Sequence, residues 1–544
     1  MTALTGIAVI NVAMEGIDMM KRIHVLGMVV TVLVINASSV SKADDLSKGL
    51  MALKRGNAQL AVKFLSKAHS ENSESFRANM GLGNAYLMQK NYEKALPYLN
   101  KAVSLDPRSI GARANLASTF SALGKPDRAI ELYTSIVKEE PDNAEIHNNL
   151  AAVYHVKGAI KKAINLYNEA IRLNPHEARY YVNIGKVYEH TGNNERAIEL
   201  YEKALELNSR SQEALISLGQ VYRNKAEYEK AKELFLKTIS YYSDSWEAQG
   251  ELGTVLEVEG LLDQAIYRYF QALKINPKSD KFMEALAMAY AKKGDLDKAI
   301  SYFRQLINRH PGSARAHGEL GVALVQNKDY YTAVGELKIA LEKDQENIRY
   351  LNSLGIAYLK LEKYELAAGC FEDVLKNNAN NEEARLYMGI TTYKQNLPGK
   401  AEKYLKGVLA LSPANADARY YTGMVELKKE KYDAAVAQFT ELKSFAPRDP
   451  RAWYGLGVTY SRKKNTTKAL EYLVKAVELD EKNNEARWEL AKIYESTGAK
   501  EDAYRQYKKI LLIDPEFHLK DVIKDRMEEL RQDGIAEDDE WRNY

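Results

Sequence analysis

The sequence predicts an all-α protein in which short helix-turn-helix units stack on one another. The chain has 544 residues, and an alanine recurs in it every 34 residues. A glycine or alanine lies twelve positions before each of these alanines, and a large apolar or aromatic residue lies four positions after it. Repeats that keep one register form a solenoid, because each unit buries its apolar face only against its neighbours. The recurring alanines are Ala61, Ala95, Ala129, Ala163, Ala197, Ala231, Ala265, Ala299, Ala333, Ala367, Ala401, Ala435, Ala469 and Ala503.

Each repeat contains two amphipathic helices. We number fourteen repeats from residue 42 and positions 1 to 34 within each repeat, so that repeat 4 covers residues 144–177. Apolar residues recur at helical spacing over residues 144–156, and Gly158 ends this first helix. A second apolar stripe covers residues 160–173, and Pro175 follows it. The sequence therefore predicts a first and a second helix in every repeat.

The ends of the chain differ from the repeats. In residues 1–43, the basic residues Lys21 and Arg22 follow Met20, an apolar run covers residues 25–35, and the segment ends at Ala43. That layout predicts a signal peptide that starts at Met20 and is cleaved after Ala43. An uncleaved anchor and a buried helix are the alternatives. We expect an exported, periplasmic protein, with a repeat array over residues 44–517 and a capping helix with an acidic tail over residues 518–544.

The composition argues against several classes of protein. Lys and Arg total 77 against 74 Asp and Glu, a net charge of +3, whereas nucleic-acid-binding proteins usually carry a basic excess. The single cysteine, Cys370, excludes an intramolecular disulfide and a multi-cysteine metal site. His147, His155 and His190 lie on neighbouring first helices, but no carboxylate or cysteine shares their spacing. Since no phosphate-binding loop, HExxH or GxSxG motif occurs, we expect no enzyme, cofactor or metal.

The repeat closely resembles the tetratricopeptide repeat, as found in exported bacterial proteins. That family has a small residue at position 8, Tyr at 11, Ala at 20, an aromatic residue at 24, Ala at 27 and Pro at 32. Repeat 4 supplies Ala151, Tyr154, Ala163, Tyr167, Ala170 and Pro175 at these positions. The resemblance implies a right-handed α-solenoid of about fourteen units whose first helices line a concave groove. It also implies protein partners, without saying which ones.

Asparagines mark the early part of this expected groove. Asn115, Asn149 and Asn183 hold position 6 of three consecutive repeats, with Asn84 and Asn148 nearby. They resemble the asparagine ladder in the repeat half of O-linked N-acetylglucosamine transferases, whose catalytic half has no counterpart here. An amide side chain both donates and accepts, so it can pair with a peptide bond of any sequence. The alternative is that these amides bond only to neighbouring helices.

Aromatic residues mark the late part of the expected groove. Tyr387, Tyr420, Tyr421, Tyr454 and Trp488 hold positions 5 and 6 of repeats 11 to 14. Large amphipathic rings of this kind anchor partners in many interfaces. They can equally pack between adjacent first helices, and the sequence leaves both interpretations open.

These features favour a protein-interaction scaffold that binds a peptide segment or partner in its groove. One alternative is a component of an envelope machine for polysaccharide export or pilus assembly. Another is a structural array that associates with copies of itself. In each case we expect protein partners, no nucleic acid, and no integral membrane span once the signal peptide is removed.

Export predicts a specific mature terminus. If residues 1–43 are removed, Edman sequencing of the protein from its native host should begin at or near Asp44. Recovery of the intact chain from the cytoplasm would contradict the prediction.

Overall fold

The computed structural model of the protein describes residues 45–532. The predicted start at Met20, cleavage after Ala43 and acidic tail beyond residue 532 lie outside the described residues. These features therefore stay predictions. Among the described residues, no helix is both long and apolar enough to cross a membrane.

The described residues form 29 helices and no strands. In chain order the helices are α1 (45–54), α2 (Ala58–Glu71), α3 (Phe76–Met88), α4 (Tyr92–Leu105), α5 (Ile110–Ala122), α6 (Pro126–Glu139), α7 (Ala144–Val156), α8 (Ile160–Leu173), α9 (Ala178–His190), α10 (Asn194–Leu207), α11 (Gln212–Asn224), α12 (Tyr228–Tyr241), α13 (Trp246–Val258), α14 (Leu262–Ile275), α15 (Asp280–Lys293), α16 (Leu296–Arg309), α17 (Ala314–Gln326), α18 (Tyr330–Lys343), α19 (Ile348–Lys360), α20 (Tyr364–Asn377), α21 (Glu382–Lys394), α22 (Pro398–Leu411), α23 (Ala416–Lys428), α24 (Tyr432–Phe445), α25 (Pro450–Arg462), α26 (Thr466–Leu479), α27 (Asn484–Ser496), α28 (Lys500–Ile513) and α29 (Lys520–Gln532). Odd-numbered helices up to α27 are first helices of the repeats, and even-numbered helices are second helices. This arrangement confirms the predicted all-α repeat fold with about fourteen units.

Helix ends follow from residues that recur at fixed repeat positions. The last residue of a repeat caps the next first helix, as when the Ala112 amide donates to the Ser109 hydroxyl at 3.3 Å. The Ala384 amide donates in the same way to Asn381 Oδ1 at 2.8 Å. The turn inside a repeat needs a left-handed residue, and Gly158 provides it with a φ of 77°.

The chain divides into two compact segments, which we call the N-terminal segment (Met1–Glu259) and the C-terminal segment (Gly260–Tyr544). Where the helices lie in the same segment, a first helix contacts the second helix of its own repeat and that of the repeat before it. Consecutive first helices also contact each other there, whereas consecutive second helices do not, among the residues that the structure describes. First helices therefore lie closer together than second helices in both segments.

A small residue packed against a large one holds the two helices of a repeat together. Position 8 lies against the large side chain at position 24 of the same repeat, and the recurring alanine at position 20 is fully buried. At Gly423 an added Cβ would lie 2.6 Å from the Phe439 ring, and at Gly185 it would lie 2.6 Å from the Tyr201 ring. These distances are shorter than ordinary van der Waals contact, so only a small residue fits.

The helix α29 covers the end of the C-terminal segment. Its Ile523 is fully buried and packs in one cluster with Tyr507 of repeat 14. Arg526 of the same helix pairs with Glu495 at 2.7 Å. The predicted capping helix is therefore present, and it shields apolar surface that a following repeat would otherwise cover.

Two glycine substitutions separate this packing from helix propensity. Gly423→Ala should destabilise the fold by about 1–3 kcal/mol, because its methyl group collides with the Phe439 ring. Gly335→Ala is the control, since Gly335 lies within α18 and its added Cβ has no neighbour within 4 Å. This control should stabilise the fold by about 0.5–1 kcal/mol. Thermal unfolding followed by circular dichroism measures both, and equal melting points for the two variants would contradict the packing model.

Candidate functional site

The first helices share one side that takes little part in the contact between helices of the same repeat. Positions 2, 6, 9 and 13 lie on that side, because 3.6 residues make one helical turn. We call these positions of a first helix its stripe, and positions 5 and 12 flank it. Since consecutive first helices touch within each segment, their stripes lie side by side.

The asparagine amides bond to one another from repeat to repeat in the N-terminal segment. Asn115 Nδ2 donates to Asn84 Oδ1 at 2.6 Å. Asn183 Nδ2 donates to Asn148 Oδ1 at 2.8 Å, and Asn148 Nδ2 donates to Asn149 Oδ1 at 3.1 Å. Asn148 is buried, whereas the other four are half-buried. The sequence analysis named Asn84 and Asn148 as nearby residues, but it did not predict which asparagines they bond to.

These amide pairs perform the structural role that the sequence gave as an alternative. They also leave hydrogen-bonding capacity, since Asn84 Nδ2, Asn115 Oδ1 and Asn149 Nδ2 have no partner among the described residues. A bonded amide is already oriented, so it loses less freedom when a ligand pairs with its other end. Contact between these amides and a ligand stays a prediction.

Two histidines lie together on the same face. His155 Nε2 lies 3.2 Å from His190 Nδ1, across the contact between α7 and α9. Burial lowers the pKa of His155, and the neighbouring His190 and Lys186 lower it further. His147 lies elsewhere, with its Nε2 2.8 Å from the Pro141 carbonyl oxygen. These effects favour the neutral form of the His155 ring. The ring nitrogen that faces His190 contacts another imidazole and not a carboxylate.

The late aromatic residues pack against each other and remain half-buried. The Tyr420 ring lies 5.2 Å from the Tyr421 ring and 6.0 Å from the Phe439 ring, measured between centroids. The Arg451 guanidinium lies 5.4 Å from the centroid of Tyr420. Burial raises the pKa of Tyr420, so its hydroxyl stays protonated.

The other three rings follow the same arrangement. The Tyr387 ring stacks on Phe371 of the repeat before it at 5.8 Å, and the Trp488 ring lies 5.5 Å from Tyr507 of its own repeat. Burial also raises the pKa of Tyr454, which is half-buried. Each ring thus packs between helices and still exposes part of its surface. Packing accounts for their positions, and a role in binding stays a prediction.

Ion pairs between exposed arginines and less exposed carboxylates lie on this face, and the sequence did not predict them. In the C-terminal segment, Arg349 pairs with the buried Glu319 at 2.6 Å, and Arg315 pairs with Glu284. Each pair joins position 2 of one repeat to position 5 or 6 of the repeat before it. The sequence could have predicted these pairs, because opposite charges about one repeat apart come into contact when first helices pack side by side.

The chain belongs to the tetratricopeptide repeat family. Models described as "Tetratricopeptide repeat" match residues 76–109, 112–145, 142–210, 176–244, 216–280, 284–348, 348–381, 388–442 and 450–483. Residues 46–72, in repeat 1, match the Sel1 repeat model instead. No curated protein sequence gives a significant match.

Solved structures similar to this chain include two that are described as tetratricopeptide repeat proteins. The APC/C hetero-tetramer Cut9-Hcn1 is 16% identical, covering 89% of this chain and 95% of that chain with a TM-score of 0.40. YrrB, described as a TPR protein with an unusual peptide-binding site, is 28% identical, covering 34% and 96% with a TM-score of 0.31. A tetratricopeptide repeat protein from Parabacteroides merdae is 19% identical, covering 43% and 93% with a TM-score of 0.37.

Proposed function

We propose that this protein is a non-enzymatic interaction scaffold that holds a segment of a partner protein against its first-helix stripes. Tetratricopeptide repeat proteins generally mediate protein–protein interaction. The observation that carries the proposal here is the row of paired amides, Asn84 with Asn115 and Asn148 with Asn183. These pairs present unused donors and acceptors at the spacing of the repeats.

The chemistry of the face suits binding to a peptide backbone. A peptide bond offers one donor and one acceptor, and the free ends of the amide pairs offer the complement. In the C-terminal segment, the half-buried rings of Tyr387 and Tyr421 provide apolar surface that a side chain of a partner can cover. Neither contact requires a particular partner sequence, so further selectivity must come from other stripe residues.

Two candidate reactive groups that the sequence analysis named, Cys370 and His155, are held in unreactive forms. Burial raises the pKa of the Cys370 thiol to about 12, so little nucleophilic thiolate is present near neutral pH. His155 faces His190 rather than a hydroxyl or a carboxylate, so neither ring has the orienting partner of a catalytic base. These observations support a scaffold rather than a catalyst.

We also propose that the scaffold works outside the cytoplasm, in the periplasm or associated with the cell envelope. The support is the basic, apolar and small-residue layout of residues 20–43. A role in an envelope polysaccharide-export or pilus-assembly machine would use the same face with a different partner. A self-associating array would use it with a second copy, and the identity of the captured partner separates these cases.

Loss of the amides should weaken capture of the partner. Replacing Asn115, Asn149 and Asn183 together by alanine removes three side chains that each contribute about 0.5–1.5 kcal/mol through a hydrogen bond. Binding should weaken by about 1.5–4.5 kcal/mol if the three contributions add. The measurement is titration of the purified partner, identified by co-purification from the native host, against the full chain.

Three asparagines on second helices provide the matched control. Asn100, Asn165 and Asn168 are exposed and lie away from the stripes. Their triple alanine variant should bind the partner as the parent protein does. If both triple variants bind normally, the amide row has no role in recognition and the proposed site is wrong.

A further inference from the structure

The stripes of repeats 10 to 13 combine an apolar row with a basic row. Position 9 of these four repeats holds Ile356, Ile390, Met424 and Val458. Position 13, the last residue of each first helix, holds Lys360, Lys394, Lys428 and Arg462. Because consecutive first helices are in contact, the two rows run side by side across α19, α21, α23 and α25.

The basic row carries charge that the protein does not neutralise. All four side chains are exposed, and none of them forms an ion pair among the described residues. The Lys428 ammonium lies 5.2 Å over the ring of Tyr393, which leaves its charge available. A row of like charges without counter-charges destabilises the free protein slightly and attracts an anionic ligand.

Charges at the opposite end of the same stripes are neutralised internally. Arg349 pairs with Glu319, and Arg451 pairs with Asp417 at 2.5 Å and with Asp449 at 2.7 Å. The cations at position 2 are therefore neutralised, and the free positive charge of these stripes is concentrated at position 13. The electrostatic field of these cations therefore attracts an anionic ligand to the position-13 edge of the stripes.

Ile356 and Met424 of the apolar row, with the neighbouring rings, give this edge an apolar surface to bind against, whereas Ile390 and Val458 already pack in the core. Ile390 and Val458 are 7% exposed, whereas Ile356, Met424 and the rings of Tyr387 and Tyr421 are half-buried. An apolar side chain that covers these atoms removes them from water, which favours association by about 25 cal/mol for each Å² buried.

The repeat fold does not require this composition. In repeats 3 to 6, position 9 holds Ser118, Ala152, Lys186 and Gln220. Position 13 of the same repeats holds Ala122, Val156, His190 and Asn224. A cation at a helix C-terminus also stabilises the helix dipole, but these helices form without one at that residue. The two rows of repeats 10 to 13 are therefore a local feature of the face.

We propose that the stripes of repeats 10 to 13 bind an acidic, amphipathic segment of a partner protein. This inference rests on the proposed function and names the chemistry of the partner. Apolar side chains of the segment lie on Ile356, Met424 and the neighbouring rings, and its carboxylates pair with the cations at position 13. Glu383, at position 2 of the same stripes, is exposed and has no ion pair among the described residues, so it opposes a continuous phosphate backbone and the charge pattern favours a short acidic peptide segment over a nucleic acid.

Selection from an unbiased phage-displayed library of random peptides on the immobilised full chain tests the proposal. The enriched peptides should carry several Asp or Glu residues among aliphatic or aromatic ones. Their affinity should fall as the salt concentration rises, because exposed charges are screened. Lys360→Glu with Lys394→Glu should weaken their binding by about tenfold or more, since both attractive charges become repulsive.

A matched pair of lysines controls for net charge. Lys400 and Lys403 are exposed on α22 and have no ion pair among the described residues, so Lys400→Glu with Lys403→Glu changes the charge equally. This control should bind the peptides as the parent does. Equal loss in both double variants would overturn the proposal, because the effect would then come from net charge alone.

The other outcomes separate this inference from the proposed function. If the enriched peptides are neutral or basic, or depend on Asn115, Asn149 and Asn183 instead, the scaffold function stands and the acidic partner is wrong. If labelled single-stranded RNA or DNA binds through Lys360 and Lys394 while acidic peptides do not, the ligand is a nucleic acid and the proposal fails. If no peptide is enriched, the proposed function is wrong, and the inference of an acidic partner, which rests on it, is wrong as well.

Discussion

Within each segment, the contact between a small residue at position 8 and a large residue at position 24 determines how the two helices of a repeat approach. Gly423 against Phe439 and Gly185 against Tyr201 show how little room exists, since one methyl group would bring atoms to 2.6 Å. This close approach buries the alanine at position 20 and brings first helices into mutual contact. Without it, neighbouring stripes would not lie side by side, and no face for binding would form.

The same contact lets the stripe positions vary, although some of their side chains, such as Ile390 and Val458, still pack in the core. Positions 8, 20 and 24 supply the packing, so positions 2, 6, 9 and 13 can differ from repeat to repeat without loss of the fold. The N-terminal segment uses this freedom for bonded amides, as in Asn115 with Asn84. The C-terminal segment uses it for half-buried rings, an apolar row and exposed cations. One scaffold thus presents chemically different surfaces along its sequence.

The sequence predicted the fold well because its signals are local and repeated fourteen times. Gly158, Asn381 and the prolines at position 32 mark helix ends through their own backbone preferences, which do not depend on distant residues. The capping helix was predictable for the same reason, because the apolar residues there, which include Ile523 and Leu530, recur at helical spacing.

The candidate site was predicted only in part, because it depends on contacts between repeats. The sequence placed Asn115 and Asn183 on the correct helices, but their bonding to Asn84 and Asn148 depends on how neighbouring helices are aligned. The pairing of Arg349 with Glu319 has the same origin. Side-chain torsions and helix alignment decide such contacts, and residue type alone does not fix either.

Site-specific photo-crosslinking in the native host tests the central claim most directly, that the stripes of the first helices bind the partner. A photoreactive amino acid is placed at Ser118 and Tyr421 on stripes, and at Asn165 and Tyr331 on second helices. The account predicts partner adducts at the two stripe positions and none at the other two. Adducts confined to Asn165 and Tyr331 would contradict it, because the partner would then lie on the opposite face.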